Sequence, residues 1–103
     1  MRYLGGISGS GTLKAGGEEV ARATYDFGGY FKERVGVTGS GEIRLAADAL
    51  RSVFGRDDLQ LLTDDGRLLD LRFSEKELAL ASEAAHVEVT GDLPSDPQGW
   101  SHQ

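Results

Sequence analysis

The strongest constraint on the fold is an alternation of period two that runs through glycine-rich strings. In "GISGSGTLK", Ile7, Gly9, Gly11 and Leu13 fall on one side, and Ser8, Ser10, Thr12 and Lys14 fall on the other. In "VGVTGSGEIRL", Val35, Val37, Gly39, Gly41, Ile43 and Leu45 oppose Gly36, Thr38, Ser40, Glu42 and Arg44. Ala21, Ala23, Tyr25 and Phe27 alternate with Arg22, Thr24 and Asp26 between them. One apolar and one polar face at this period define a strand buried on one side. Gly16-Gly17 and Gly28-Gly29 then read as turns at either end of the middle strand.

The period changes after Leu45. Ala46, Ala47, Leu50, Val53 and Phe54 recur at helical spacing, and Gly55 stands where a left-handed cap ends a helix, so residues 46–54 are expected to be helical. "LQLLTDDGRLLDLRF" is a hairpin whose turn can be chosen by register. A two-residue turn at Asp65-Gly66 sets Leu61 against Asp70. A three-residue loop, Asp64-Asp65-Gly66, pairs Leu61 with Leu69 and Leu59 with Leu71, and it keeps one apolar face intact. Ser74 and Glu77 fit a capping box before "ELALASEAA", so a second helix is favoured over a strand across 75–85. His86–Thr90 reads as the last strand, with Val87 and Val89 inward.

These elements predict an all-β fold with minor α content. The expected architecture is an antiparallel small barrel or curved sandwich of six to seven strands with one or two short helices. A chain of 103 residues fits one domain. The expected division is a β-rich domain over 1–93 and a flexible C-terminal tail over 94–103, whose apolar anchor is Trp100. No run of the length needed for a signal peptide or a membrane span occurs, which predicts a soluble, cytoplasmic protein with no membrane contact.

Composition narrows the chemistry. The chain has no cysteine, which excludes disulfides, thiolate metal sites and cysteine nucleophiles. Its formal charge of −6 disfavours the phosphate backbone of a nucleic acid as a partner. The glycine strings are not phosphate loops, because neither opens a helix and neither contains the G-x-x-x-x-G-K-[ST] or G-x-G-x-x-G pattern. Neither Asp57-Asp58 nor Asp64-Asp65 has the spacing of an EF-hand loop, so no metal or cofactor is expected.

Three functional classes follow. The leading expectation is a non-catalytic protein-binding or assembly module, meeting an unknown protein partner or a second copy through a polar strand face or a sheet edge. Lys14, Arg22, Thr38 and Arg44 mark that polar face. The alternative is a small-ligand barrel lined by Gly9, Gly11, Gly39 and Gly41. The favoured reading of those glycines is structural, namely that they permit tight strand coiling or leave room for rings such as Tyr25 and Phe27. A third possibility is an enzyme using His86 and Glu88, which share a strand face, although no nucleophile can be set beside them from the sequence.

Overall fold

The computed structural model describes residues 2–79, 81–91 and 93–94. It contains β1 (Arg2–Ala15), β2 (Glu18–Lys32), β3 (Gly36–Arg44), α1 (Ala47–Val53), β4 (Leu59–Thr63), β5 (Leu68–Phe73) and β6 (Ala84–Gly91). The strands form a closed barrel in the order β1-β2-β3-β6-β5-β4, with every neighbouring pair antiparallel. Two three-stranded meanders are thus joined edge to edge, through β3 with β6 and β1 with β4. Closure decides between barrel and sandwich. Among the described residues no helix is long and apolar enough to cross a membrane.

The alternation in the sequence becomes the inside and outside of the wall. Leu13, Phe27, Ile43, Leu61, Leu69, Val87 and Val89 are fully shielded from solvent, while Thr24, Asp26, Arg44, Asp70, Arg72 and Glu88 point outward. α1 closes one end of the barrel by inserting Leu50 and Val53 beside Leu45. Seven residues are too few for a helix stable in isolation, so burial of those side chains holds it, at about 2 kcal/mol each. Gly55 follows with φ +87°, the left-handed backbone that ends the helix.

The β4–β5 hairpin has the register expected from its apolar face, Leu59 opposite Leu71 and Leu61 opposite Leu69. The Gly66 N–H donates to the Thr63 carbonyl, and Gly66 itself has φ +94°. The Thr63 hydroxyl sits inside the loop, bonded to Asp65 and accepting from the Arg67 N–H at 2.9 Å.

Two local expectations are corrected. Gly28-Gly29 is not a turn but the interior of β2, paired with Gly6 and Gly5 on one side and with Ser40 and Gly39 on the other. The chain reverses instead after Lys32, through Arg34 at φ +70°. Among its described residues, the segment after Phe73 holds no second helix. Ser74 extends the ladder by donating its N–H to the His86 carbonyl, and the Glu75 carboxylate accepts the His86 N–H. The first of these bonds ties Ser74, the expected helix cap, to β6, and Leu78 packs against the core from an irregular loop. Of the expected tail, only Pro94 lies within the described residues, and Trp100 lies outside them.

Candidate functional site

The four singled-out glycines lie on the inward face, but different groups occupy the space beside them. A side chain at Gly11 would meet the Leu62 carbonyl oxygen at 2.6 Å and the Thr63 Cα at 3.0 Å. At Gly41 it would meet the Asp26 carbonyl and the Phe27 Cα. These two glycines let neighbouring backbones approach closely as the strands coil. At Gly9 the Tyr25 ring fills the space, with its hydroxyl 3.2 Å from the Cβ position. At Gly39 the Gly28 carbonyl, Val89 and Leu93 do so. Burial, reinforced by the Asp65 charge, holds the Tyr25 hydroxyl above its ordinary pKa of 10.0, so the group is a neutral phenol in the wall.

The polar strand face does not form one patch. Arg22 and Arg44 border one shallow depression with Ser10 and Thr24. Lys14 lies outside that depression, two residues beyond Thr12, the cross-strand partner of Arg22, and is itself paired across strands with Glu19 and Gln60. Thr38 belongs to a separate depression of about 380 Å³ with Tyr30, Lys32, Ser40 and Glu88. Both arginines are engaged: Arg44 with Glu42 at 2.7 Å, and Arg22 with Asp64 at 2.6 Å. Each guanidinium lies on open surface, where such pairs contribute little to stability.

His86 and Glu88 are both exposed on the outer face of β6. The structure adds a residue that the sequence reading missed, since the Ser74 hydroxyl lies 2.8 Å from His86 Nδ1. The Ser74 hydroxyl also donates to the His86 carbonyl at 3.0 Å, which gives it a structural role in tying the 74–83 segment to β6. A capping-box reading of Ser74 concealed this contact, and only the pairing of β5 with β6 reveals it.

A surface groove of about 590 Å³ crosses the outside of β4, β5 and β6 between Asp57, Gln60, Asp70, Arg72 and Glu88. Gln60 donates to Asp70 at 3.0 Å, and the neighbouring Asp58 is held by Arg56, which keeps its carboxyl below the ordinary carboxylate range. Among the described residues no group of three His, Cys, Asp or Glu side chains is arranged to hold a metal ion.

The feature with the clearest chemical consequence is the first half of β1. Among the described residues, β4 covers β1 only from Gly11 to Ala15, and the segment before it, Arg2–Gly9, is paired by β2 alone. The parity of the free amides follows from one bond, in which Asp64 N–H donates to the Ser10 carbonyl across the β4 side. In an antiparallel ladder the N–H and C=O of one residue point the same way and alternate along the strand. Ser8 and Gly6 therefore also present both groups away from β2. A register shift between Tyr3 and Gly5, with Gly5 at φ +128°, turns Leu4 inward to a buried position and limits the straight edge to Gly5–Gly9.

Apolar and basic side chains surround this end of the barrel. Tyr3, Phe31 and Val35 are 57%, 40% and 67% exposed. Tyr3 and Tyr30 meet at 5.3 Å with their rings tilted by 57°, over the paired Gly6 and Gly28, whose missing side chains let the rings lie against the backbone. Arg2 lies 5.8 Å over the Phe31 ring. The recurrence of a glycine pair and an aromatic in "YLGG" and "GGYF" was the sequence signal for this arrangement.

Fold and site together define a six-stranded antiparallel barrel, plugged at one end by a helix and, among the described residues, carrying near the other end a backbone edge paired on one side only. Comparison with protein-family models, curated proteins and solved structures finds no match to this chain.

Proposed function

We propose that the protein is a non-catalytic binding or assembly module that meets another polypeptide through the first half of β1. The observation that carries this reading is the edge from Arg2 to Gly9, which β2 alone pairs among the described residues and which exposed Tyr3, Phe31 and Val35 border. Unpaired backbone groups in a row are a template for strand addition, which supplies affinity from main-chain hydrogen bonds and selectivity from alternate side chains. The small-ligand alternative draws less support, because Tyr25, Val89, Leu93 and neighbouring backbone occupy the space beside the four inward glycines. An enzyme built on His86 and Glu88 also draws less, since Ser74, His86 and Glu88 all stand on exposed surface. A cytoplasmic setting belongs to the same proposal.

Native mass spectrometry of protein isolated from its source tests the reading. The expected spectrum carries either a second polypeptide or an integer multiple of this chain. A bare single chain overturns the proposal, and so does one carrying only a few hundred daltons of extra mass. The latter result restores the ligand-carrier alternative.

A further inference from the structure

Three strands outrun the rest of the barrel at the end opposite α1. Among the described residues, β4 stops pairing with β1 at Gly11, and β6 stops pairing with β3 at Gly39. Beyond those points Arg2–Gly9 of β1, Gly29–Lys32 of β2 and Gly36–Thr38 of β3 form a ledge, paired only with one another. Alternation from buried Phe27 puts Gly29 and Phe31 on its inner face, and cross-strand pairing sets Val37 beside Phe31. The bulge before Gly5 turns Leu4 onto the same face.

Two observations point to a cover over this face. Leu4 is 2% exposed, yet it stands apart from the core cluster of the described residues. The chain also returns to this end after β6. The Leu93 N–H donates to the Gly91 carbonyl at 2.8 Å, and the Leu93 side chain lies 3.5 Å from where a Cβ on Gly39 would sit. Pro94 is buried. The residues that follow are "SDPQGWSHQ", in which Trp100 is the one large apolar side chain.

We infer that residues 95–103 continue across the inner face of the ledge and seat the Trp100 indole on Leu4, Phe31 and Val37. This goes beyond the binding-module reading and does not depend on it.

Reach permits the contact. Phe31 lies one strand over and two residues along from Gly39, about 5 and 7 Å away in the two directions. Six residues from Pro94 to Trp100 span up to about 20 Å, which leaves slack for the indole to turn inward. The seat has apolar area to bury, since Phe31 remains 40% exposed. Covalent attachment favours this segment over a separate partner, because a short linker holds it at a millimolar effective concentration. Pro94 and Pro97 lack amide hydrogens, so the segment is a poor added strand for the outward groups of β1. Its mode is side-chain seating on the inner face, and the outer edge stays available to a partner.

Trp100 is the sole tryptophan, so selective excitation of the full chain reads its surroundings. Its emission should be blue-shifted, and its quenching by acrylamide severalfold weaker, relative to the same chain in urea. Neither value should change on dilution. Phe31→Ser, at a partly exposed position, should shift the emission to the red and raise the quenching, while circular dichroism confirms the barrel. Val20→Ser, near the far end of β2, should leave both as in wild type. In a second measurement, Trp100→Ser should move the amide resonances of Leu4, Phe31 and Val37. A tryptophan as open to acrylamide in the native chain as in urea overturns the assignment. So does a protected one indifferent to Phe31→Ser, or amides at the ledge unmoved by Trp100→Ser. Protection that is lost on dilution gives the seat to the tryptophan of a second copy and also overturns it.

Discussion

Arg22 reaches across the outside of β1 to hold both carboxylate oxygens of Asp64, at 2.8 and 2.6 Å. Arg22 belongs to β2 and Asp64 to the turn after β4, so the pair straps the two strands that flank β1. On the way the guanidinium also donates to the Thr12 hydroxyl at 3.2 Å. The same aspartate fixes β1 from the other direction through its N–H on Ser10. This strap marks the point where β1 passes from the closed wall to the free edge.

A pH dependence follows from the strap. The Arg22 hydrogen bonds hold the Asp64 carboxyl below its ordinary value of 3.8. A carboxylate with a depressed folded pKa contributes its stabilisation in full above the unfolded value and loses it as pH falls through the folded value. The thermal midpoint of Arg22→Ala should therefore lie below that of wild type near neutral pH, with the gap closing on the acid side of 3.8. A carboxyl NMR titration in the variant should show Asp64 returning towards that ordinary value. An unchanged Asp64 titration contradicts the strap.

Gly41→Ala and Gly11→Ala should each destabilise the barrel by about 1–3 kcal/mol, because the added methyl collides with backbone that cannot move without opening the ladder. Gly9→Ala should do less, since the Tyr25 ring can shift aside. Urea unfolding of the three variants ranks these effects. A Gly9 variant weaker than the other two contradicts the assignment of backbone crowding to Gly11 and Gly41.

Leu50→Ala should remove about 2–5 kcal/mol, because α1 is held by its buried face rather than by its length. Amide exchange should accelerate throughout Ala47–Val53 before it does in β5. Exchange that rises uniformly over the whole chain would show that the plug and the barrel unfold as one unit.

Ser74 should resist labelling by a fluorophosphonate despite its contact with His86, because its hydroxyl is also bonded to the His86 carbonyl on exposed surface. Ser74→Ala should instead loosen the 74–83 segment, with a loss of about 1 kcal/mol read from exchange of the His86 amide. Stoichiometric labelling of Ser74 would return the chain to the enzymes.

Much of the wall was legible from the sequence. Alternation alone assigned Leu13, Phe27, Ile43, Val87 and Val89 to the interior, since a one-residue slip would expose them all. The same logic chose the three-residue loop of the β4–β5 hairpin. Glycine pairs were less informative. Gly16-Gly17 turns the chain with φ values of +59° and +86°, whereas Gly28-Gly29 runs straight, because strands on both sides claim its amides.

The sequence by itself determined which side chains face inward, where α1 ends and how β4 folds back on β5. Each of these depends on neighbours a few residues apart, through strand pleat, helix period or turn conformation. Tertiary structure decided the closure of six strands into a barrel, the irregular path of the described residues after Phe73 and the point at which β4 stops covering β1. It also joined Arg22 to Asp64, 42 residues away. These outcomes depend on which distant strands share hydrogen bonds and where each ladder stops, and local propensity carries no term for either.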